Sequence, residues 1–215
     1  MFKPKITKEE INNLPTTEFQ GEIIVVDTVE NIKSAINNLK QQKVVGLDTE
    51  TKPSFQRGTT HKVSLVQIST LDHCYLFRLN KIGFPEELLK FLTDEKTLKV
   101  GLSLRDDFNG LNKRSNFMPR NIIDLQSIAK DYGILELGLQ KIYGILFEQK
   151  ISKSQRLSNW ENPILTEQQQ RYAATDAWAS LQIYLFLIRQ NKLTKKEVEK
   201  LILEYKTEPI QQQIQ

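Results

Sequence analysis

An apolar strand that ends in two acids is the feature that most constrains this chain. Residues 44–50 read VVGLDTE, and their β-branched and small residues are typical of a buried strand. Because side chains two residues apart point to the same face of a strand, Asp48 and Glu50 project together from its end. A divalent cation with oxygen ligands is the simplest partner that neutralises two such carboxylates. Taken alone, however, this short pattern favours the simpler interpretation of two solvated acids at a strand end.

A second pair of acids opens a helix predicted over residues 105–113. Asp107 lies three residues after Leu104 and four before Leu111, on the edge of the apolar stripe that faces the protein. Asp106 points nearly opposite and is predicted to face water. Acids at a helix start commonly complement the helix dipole. That role explains Asp106 better than it explains Asp107.

A long helix, predicted from residue 166 to about residue 189, carries a tyrosine and an acid on one face. Tyr172 and Asp176 are four residues apart and therefore lie one above the other. An aspartate on an inward stripe is costly unless it is paired or binds a metal, whereas Tyr172 alone is also typical of a core tyrosine. Two divalent cations about 3.5–4 Å apart would neutralise the acids gathered here and promote phosphoryl displacement. The four acids at or near inward positions are Asp48, Glu50, Asp107 and Asp176.

The order of the predicted elements indicates an α/β fold with a mixed central sheet flanked by helices. Strands predicted over residues 44–50, 62–69 and 73–79 indicate an antiparallel meander, and later strands alternate with helices. A helix that Thr28 could cap and that ends at Leu39 is also predicted, as is a loop over residues 150–162. The chain shows no internal repeat and no linker. We therefore predict one principal domain at residues 22–190, with an N-terminal extension at 1–21 and a C-terminal helix and polar tail at 191–215.

The composition limits the class of protein. The 215 residues are 39% hydrophobic and 26% charged, which fits a soluble globular domain, and the net charge of +4 permits a polyanionic partner without requiring one. The single cysteine, Cys74, excludes a disulfide within the chain and is expected to be a buried structural thiol. Neither a secretory signal nor an apolar run of membrane-spanning length is visible, so we expect a cytoplasmic protein that does not enter a membrane.

Taken together, the motifs resemble the DEDDy family of 3′–5′ exonucleases, most closely the Werner syndrome protein exonuclease group and more distantly ribonuclease D. The resemblance covers about residues 22–190. Each motif is short, but their order and spacing are specific. They are Asp48-x-Glu50, Val100-Gly101-(x)5-Asp107-(x)3-Leu111 and Tyr172-(x)3-Asp176, supported by KVSLVQI at 62–68, LSNW at 157–160, LTE at 165–167 and YAATDA at 172–177.

This resemblance implies an RNase H-like fold and two bound Mg²⁺ or Mn²⁺ ions. It implies that Asp48 bridges the ions, that Glu50 and Asp176 complete the first site, and that Asp107 holds the second ion through water. Tyr172 would orient the attacking water, in place of the histidine of the sister DEDDh group. The implied activity is removal of nucleoside 5′-monophosphates from the 3′ end of a nucleic acid, with DNA favoured over RNA.

Polar and aromatic side chains near these motifs are candidates for binding the substrate. A solvated surface position is the commoner role of any single lysine, and Trp160 is as typical of a core residue as of a base-stacking one, whereas Phe55 is a stacking candidate. The predicted nucleic-acid-binding residues are Thr49, Arg57, Lys62, Lys150, Lys153 and Arg156.

Three functions remain open at this point. The leading one is a metal-dependent 3′–5′ exonuclease acting on DNA, and the second is a ribonuclease D-like exoribonuclease. The third is a nucleic-acid-binding module without catalysis, which the complete set of acids disfavours. The oligomeric state is not predicted.

Overall fold

The computed structural model describes residues 2–55, 58 and 60–207, without the side chains of residues 206 and 207. Eight strands occur in this part of the chain, and six of them form the central sheet. The strands are β1 Thr16–Thr17, β2 Glu22–Val26, β3 Val44–Thr51, β4 Val63–Ser69, β5 His73–Phe77, β6 Leu98–Gly101, β7 Ile122–Asp124 and β8 Lys150–Ile151.

The central sheet is mixed and has the order β2-β5-β4-β3-β6-β7. Strand β4 pairs antiparallel with both β3 and β5, which confirms the predicted meander. The pairs β2 with β5, β3 with β6 and β6 with β7 are parallel. The α/β fold with a mixed sheet is therefore confirmed, and β3 occupies an interior position in it.

Helices cover both faces of the sheet. Helices α2, α4 and α5 pack on the face that carries Val45, Leu47 and Val66, whereas α8 packs on the face that carries Leu65 and Leu76. Within the described residues, no helix combines the length and apolar character needed to cross a bilayer. The helices are α1 Lys8–Asn13, α2 Ile32–Leu39, α3 Leu79–Ile82, α4 Glu86–Leu92, α5 Leu104–Asn112, α6 Leu125–Ala129, α7 Leu139–Phe147, α8 Glu167–Leu187 and α9 Lys195–Thr207, with a 3₁₀ turn at Lys130–Tyr132.

Helix α8 lies directly against β3 because the residues at their contact are small. The helix begins with a capping box, in which the Thr166 hydroxyl accepts from the Gln169 amide and the Gln169 side chain accepts from the Thr166 amide. A Cβ atom added to Gly46 would lie only 1.9 Å from the carbonyl oxygen of Ala177. Close packing at this point brings the end of β3 and the first half of α8 together.

The start of α2 and the end of β5 differ from the prediction for reasons that the structure shows. Helix α2 begins at Ile32, so Thr28 does not cap it. Residues 28–31 form a turn in which the Thr28 hydroxyl bonds to the Glu30 carboxylate. Strand β5 ends at Phe77, and Leu79 begins the short helix α3. The apolar character of Leu79 reflects its burial in that helical turn, which a continuous apolar run does not distinguish from a strand.

The predicted loop over residues 150–162 contains a short strand at its start, so the prediction is wrong there. Strand β8 pairs parallel with β1, and the Lys150 amide donates to the Pro15 carbonyl at 2.9 Å. A two-residue pairing between distant segments leaves no periodicity in the sequence. Cys74 is fully buried, as expected.

The N-terminal segment contacts the sheet-and-helix core. Phe19 is fully buried, and its backbone amide donates to the Thr175 hydroxyl of α8 at 3.0 Å. The division of the chain at residues 21 and 190 stays a prediction.

Candidate metal centre

Three acids from β3 and α8 meet where these two elements pack together. Carboxylate oxygens of Asp48, Glu50 and Asp176 all lie within 4.8 Å of one another, and the three side chains are partly buried. Asp48 and Glu50 share the face of β3 that α8 covers, and Asp176 projects from α8 toward them. A set of hard oxygen ligands at this separation fits a divalent cation. The chemistry of the donor atoms therefore supports the predicted metal site.

The fourth acid approaches from the opposite face of β3. Thr49 alternates with Asp48 along the strand, and its hydroxyl donates to Oδ1 of Asp107 on α5 at 2.5 Å. Asp107 is partly buried, whereas Asp106 is exposed and accepts from the Ser103 hydroxyl at 3.0 Å. The predicted inward and outward orientations of the two aspartates are confirmed. Thr49, predicted as a nucleic-acid contact, instead places its hydroxyl on Asp107 in this structure.

Burial makes ionisation of the two β3 acids unfavourable. It raises the pKa of Asp48 well above its usual value, and the charges of Asp107, Asp176 and Glu50 raise it further. Burial also raises the pKa of Glu50 to about 9, again with contributions from the neighbouring acids. In the absence of a cation these groups therefore tend to hold protons, and a bound cation would replace them.

Asp107 and Asp176 are shifted less strongly because hydrogen bonds partly offset their burial. Burial raises the pKa of Asp107 to about 7 despite the bond from the Thr49 hydroxyl. Burial likewise raises the pKa of Asp176 to about 7, while a hydrogen bond from the Tyr172 hydroxyl and the charge of Lys153 act in the opposite direction. The same burial raises the pKa of Tyr172, so its hydroxyl stays protonated and can donate.

Tyr172 is supported by the aromatic ring of Trp160. The two ring centroids are 6.0 Å apart at an interplanar angle of 34°, and Trp160 is fully buried. Trp160 is thus a core residue, and the alternative that it stacks on a base is wrong. Phe55, the other aromatic candidate, is 83% exposed and is accessible to a ligand.

The basic side chains that are predicted to bind nucleic acid do not share one environment. Lys153 and Arg156 lie close enough to the acids to lower the pKa of Asp176 and of Glu50, respectively. Lys150 instead donates its amine to the backbone carbonyl of Asn12. Lys153 and Arg156 are therefore near the acids, whereas the Lys150 side chain is turned toward the N-terminal segment.

The remaining two basic residues predicted to bind nucleic acid belong to the segment between β3 and β4. Lys62 is exposed immediately before β4. Arg57 lies outside the described residues.

The segment preceding α8 is held by contacts that residue spacing does not reveal. Arg78 is 1% exposed and donates to the backbone carbonyls of Pro163 and Asn162. An ion pair of 3.4 Å joins Lys52, just after β3, to Glu161. These partners are far apart in sequence and follow no motif or period, so no pattern indicates them.

Comparison with known proteins identifies one domain family across most of the chain. A family model described as a 3′–5′ exonuclease matches residues 23–192. The match includes β2 to β8 and α2 to α8, and it therefore contains all four acids and Tyr172.

Curated relatives include exonucleases of different organisms. A 3′–5′ exonuclease of Arabidopsis thaliana is 31% identical over 191 residues, which cover 81% of this chain and 66% of the relative. The mouse bifunctional 3′–5′ exonuclease/ATP-dependent helicase WRN is 29% identical over 187 residues, covering 80% of this chain and 13% of the relative. Ribonuclease D of Haemophilus influenzae is 31% identical over 157 residues, covering 71% and 38%. The chain thus spans less than two thirds of each of these relatives.

Solved structures share the fold at low sequence identity. The EXO domain of Aedes aegypti Nibbler has a TM-score of 0.73 at 22% identity and covers 86% of this chain and 99% of that domain. Escherichia coli RNase D, described as an exoribonuclease involved in structured RNA processing, has a TM-score of 0.70 at 23% identity and covers 79% and 44%. A Trypanosoma brucei RNase D in complex with RNA has a TM-score of 0.71 at 20% identity and covers 85% and 65%. These neighbours confirm the RNase H-like fold.

Proposed function

Because the chain belongs to the 3′–5′ exonuclease family, we propose that it uses two divalent cations, Mg²⁺ or Mn²⁺, to hydrolyse phosphodiester bonds from the 3′ end of DNA. Water attacks the terminal phosphate, the bond to the 3′ oxygen of the preceding nucleotide breaks, and a nucleoside 5′-monophosphate is released. The observation that carries this proposal is the approach of the Asp48, Glu50 and Asp176 carboxylates to within 4.8 Å of one another.

Each site residue has a role that its position supports. Asp48, Glu50 and Asp176 are the ligands of the cations, and Asp107 lies beside them at the other face of β3 to hold the second cation. When bound, the cations activate a water and stabilise the charge that develops on the phosphate and the leaving oxygen. The Tyr172 hydroxyl, protonated and directed at the acids, orients the attacking water.

DNA is the leading substrate, and RNA is the second candidate. The match to the mouse exonuclease/helicase covers 80% of this chain, compared with 71% for the Haemophilus ribonuclease D. The structural neighbour bound to RNA favours the alternative that this chain is an exoribonuclease. Lys153 and Arg156 contact the phosphates of either strand type, because phosphate contacts carry no information on the sugar.

One digestion experiment tests the activity and the substrate together. Single- and double-stranded DNA and RNA oligonucleotides of matched sequence, labelled at the 5′ end, are incubated with the protein and Mg²⁺ or Mn²⁺, and parallel samples contain excess chelator. We expect ladders that shorten from the 3′ end, faster for DNA, with nucleoside 5′-monophosphates as products and no cleavage in chelator. The matched variants are Asp48→Asn, expected to be inactive, and the exposed Asp106→Asn, expected to be active.

Other outcomes would separate the alternatives. Faster cleavage of RNA would identify an exoribonuclease. Binding of oligonucleotides without cleavage, under every metal condition, would support the non-catalytic binding module. Full turnover in excess chelator would contradict the role of the cations.

A further inference from the structure

A glutamine at the centre of the sheet has no partner for either end of its amide. Gln67 on β4 is fully buried, and neither Oε1 nor Nε2 has a hydrogen-bond partner among the residues that the structure describes. Buried polar side chains are nearly always hydrogen-bonded, because an unpaired amide loses its contacts with water and gains nothing in exchange. Gln67 belongs to the segment 62–68 that matches the family pattern, yet none of the roles assigned above uses it.

The strand register places this amide beside the acids. Gln67 lies directly opposite Asp48 on β3 and opposite Leu76 on β5. Residues directly opposite in an antiparallel pair share one face of the sheet, with Cβ atoms about 4.5–5.5 Å apart. A glutamine side chain spans that separation. Asp48 is therefore within reach of the Gln67 amide, whereas Leu76 offers no polar atom.

The neighbours of Gln67 on its own strand and on α8 leave its amide without a hydrogen-bond partner. Leu65, two residues earlier on the same face, is apolar and fully buried, and α8 covers this face with Ala173 and Ala174. Ser69, two residues later, donates its hydroxyl to the Thr70 carbonyl at 2.8 Å and forms no hydrogen bond with the Gln67 amide. Among the residues directly opposite Gln67 and those two positions away on its own strand, Asp48 alone carries a carboxylate, and Glu50 lies one diagonal position further, opposite Leu65.

We propose that Gln67 is a positioning residue, which donates a hydrogen bond from Nε2 to the Asp48 carboxylate when that carboxylate binds a cation. A carboxylate that ligates a metal keeps an oxygen lone pair for a second hydrogen bond, and such bonds fix the orientation of the ligand. Gln67 is held in place by its strand and by α8, so it restricts the rotation of Asp48 that would otherwise weaken cation binding. This inference rests on the proposed function, because it requires Asp48 to be a cation ligand.

The test replaces the amide without emptying the space that it fills. Gln67→Met keeps the length of the side chain and removes both polar atoms. We expect Mn²⁺ to bind this variant about 10–100-fold more weakly in the absence of nucleic acid, measured as free Mn²⁺ by electron paramagnetic resonance. The unfolding temperature in chelator should stay equal or rise, because an apolar group replaces an unpaired buried amide. A residue with only a packing role would instead lower the unfolding temperature in chelator when it is replaced and leave Mn²⁺ affinity unchanged.

The control is Ser69→Ala, which alters a buried polar side chain on the same face of the same strand. Its Mn²⁺ affinity should equal that of the wild type. If the wild-type protein bound no Mn²⁺, the proposed function would fail. If the wild type bound Mn²⁺ and Gln67→Met bound it equally well, this inference alone would be overturned.

A second measurement needs no variant and covers the case in which Gln67→Met does not fold. The side-chain amide protons of Gln67 are followed by nuclear magnetic resonance in isotope-labelled wild-type protein during addition of Mg²⁺. We expect their resonances to shift and their exchange with water to slow in step with Mg²⁺ binding. Unchanged amide resonances at saturating Mg²⁺ would overturn the proposal.

Discussion

The acidic centre and the segment of residues 152–165 lie side by side but are held by different contacts. The acids of the centre are placed by β3, α5 and α8, and Gly46 lets α8 pack directly on β3. Residues 152–165 contain no helix or strand, and individual side chains hold them, among them the buried Trp160, the bonds from Arg78 and the ion pair of Glu161 with Lys52. Helices and strands therefore fix the positions of the acids, whereas side-chain contacts hold the segment that carries Lys153 and Arg156.

The acidic centre and the segment of residues 152–165 also differ in their electrostatics. Burial raises the pKa of each acid in the centre, so each charge there is costly and must be balanced. Lys153 and Arg156 lower the pKa of Asp176 and Glu50, but burial outweighs them in both cases. The nearby cations thus compensate only part of the charge. We therefore expect changes in the centre to have much larger effects than changes in the segment.

The largest effect should follow from removing the charge of Asp48. Asp48→Asn should lower the single-turnover cleavage rate by about 10⁴-fold, because a cation ligand that supplies several kcal/mol is lost. The same change should raise the unfolding temperature in chelator, since a neutral amide avoids the burial cost and the repulsion that raise the pKa of Asp48. Cleavage rates and thermal unfolding are measured on the same sample. A variant that was both active and less stable would show that Asp48 is structural.

The second prediction compares two neighbouring acids of α5. Asp107→Asn should reduce the cleavage rate by roughly 10²–10⁴-fold, because Asp107 lies beside the β3 acids, where its negative charge adds to theirs and favours cation binding. Asp106→Asn should stay within about twofold of the wild type, because its side chain is exposed. Equal effects in the two variants would contradict the assignment of Asp107 to the site.

The difference between the regions also determines how much the sequence predicts. Asp107 and Asp176 follow helical periodicity, and Asp48 and Glu50 follow strand alternation, so their directions can be inferred from residue spacing. Lys150 follows neither rule, because its direction is set by the Asn12 carbonyl in a segment far away in the chain.

Contacts between residues far apart in the chain also limit how much of the fold the sequence predicts. The main strands and helices have clear periodic patterns and were predicted. The β1–β8 pair, the start of α2 and the end of β5 depend on single hydrogen bonds or turns, which residue types do not specify. The unpaired amide of Gln67 becomes visible only when the register of β3 and β4 is known.

The third prediction separates orientation of water from cation binding on one helix face. Tyr172→Phe keeps the packing against Trp160 and removes only the hydroxyl, so the rate should fall by roughly 10–10³-fold with Mn²⁺ affinity unchanged. Asp176→Asn should weaken Mn²⁺ binding itself, and raised Mn²⁺ should partly restore its rate. Single-turnover cleavage across a metal titration measures both. Cleavage by Tyr172→Phe at the wild-type rate would assign Tyr172 to the core alone.

The fourth prediction concerns the stability of the cation-free protein. Burial raises the pKa of Glu50 from 4.5 to about 9 and that of Asp176 from 3.8 to about 7. The folded state therefore binds more protons than the unfolded state, so protonation of these acids favours folding. This contribution to the free energy of unfolding is complete below about pH 4 and is lost as the pH rises toward about 9. We expect the free energy of unfolding in chelator to fall by several kcal/mol across that range.

Chemical denaturation at several pH values measures this loss, and two comparisons isolate its cause. Asp176→Asn should flatten the pH dependence, because it removes one of the titrating groups and part of the repulsion. Saturating Mg²⁺ should flatten it as well, since cation binding favours the ionised acids. A wild-type protein that became more stable in chelator as the pH rose would contradict the raised pKa values.

The smallest effect is expected in the segment of residues 152–165. Arg156 is near enough to lower the pKa of Glu50, but it lies outside the elements that place the acids. Arg156→Ala should therefore raise KM for an oligonucleotide by about 3–10-fold at low salt with little change in kcat, and the difference should shrink as salt screens the phosphate contact. Lys150→Ala is the matched control, because its amine bonds to Asn12 instead of facing the acids, and it should stay within about twofold. If the two variants raised KM equally, proximity to the acids would not determine which basic side chains bind the substrate.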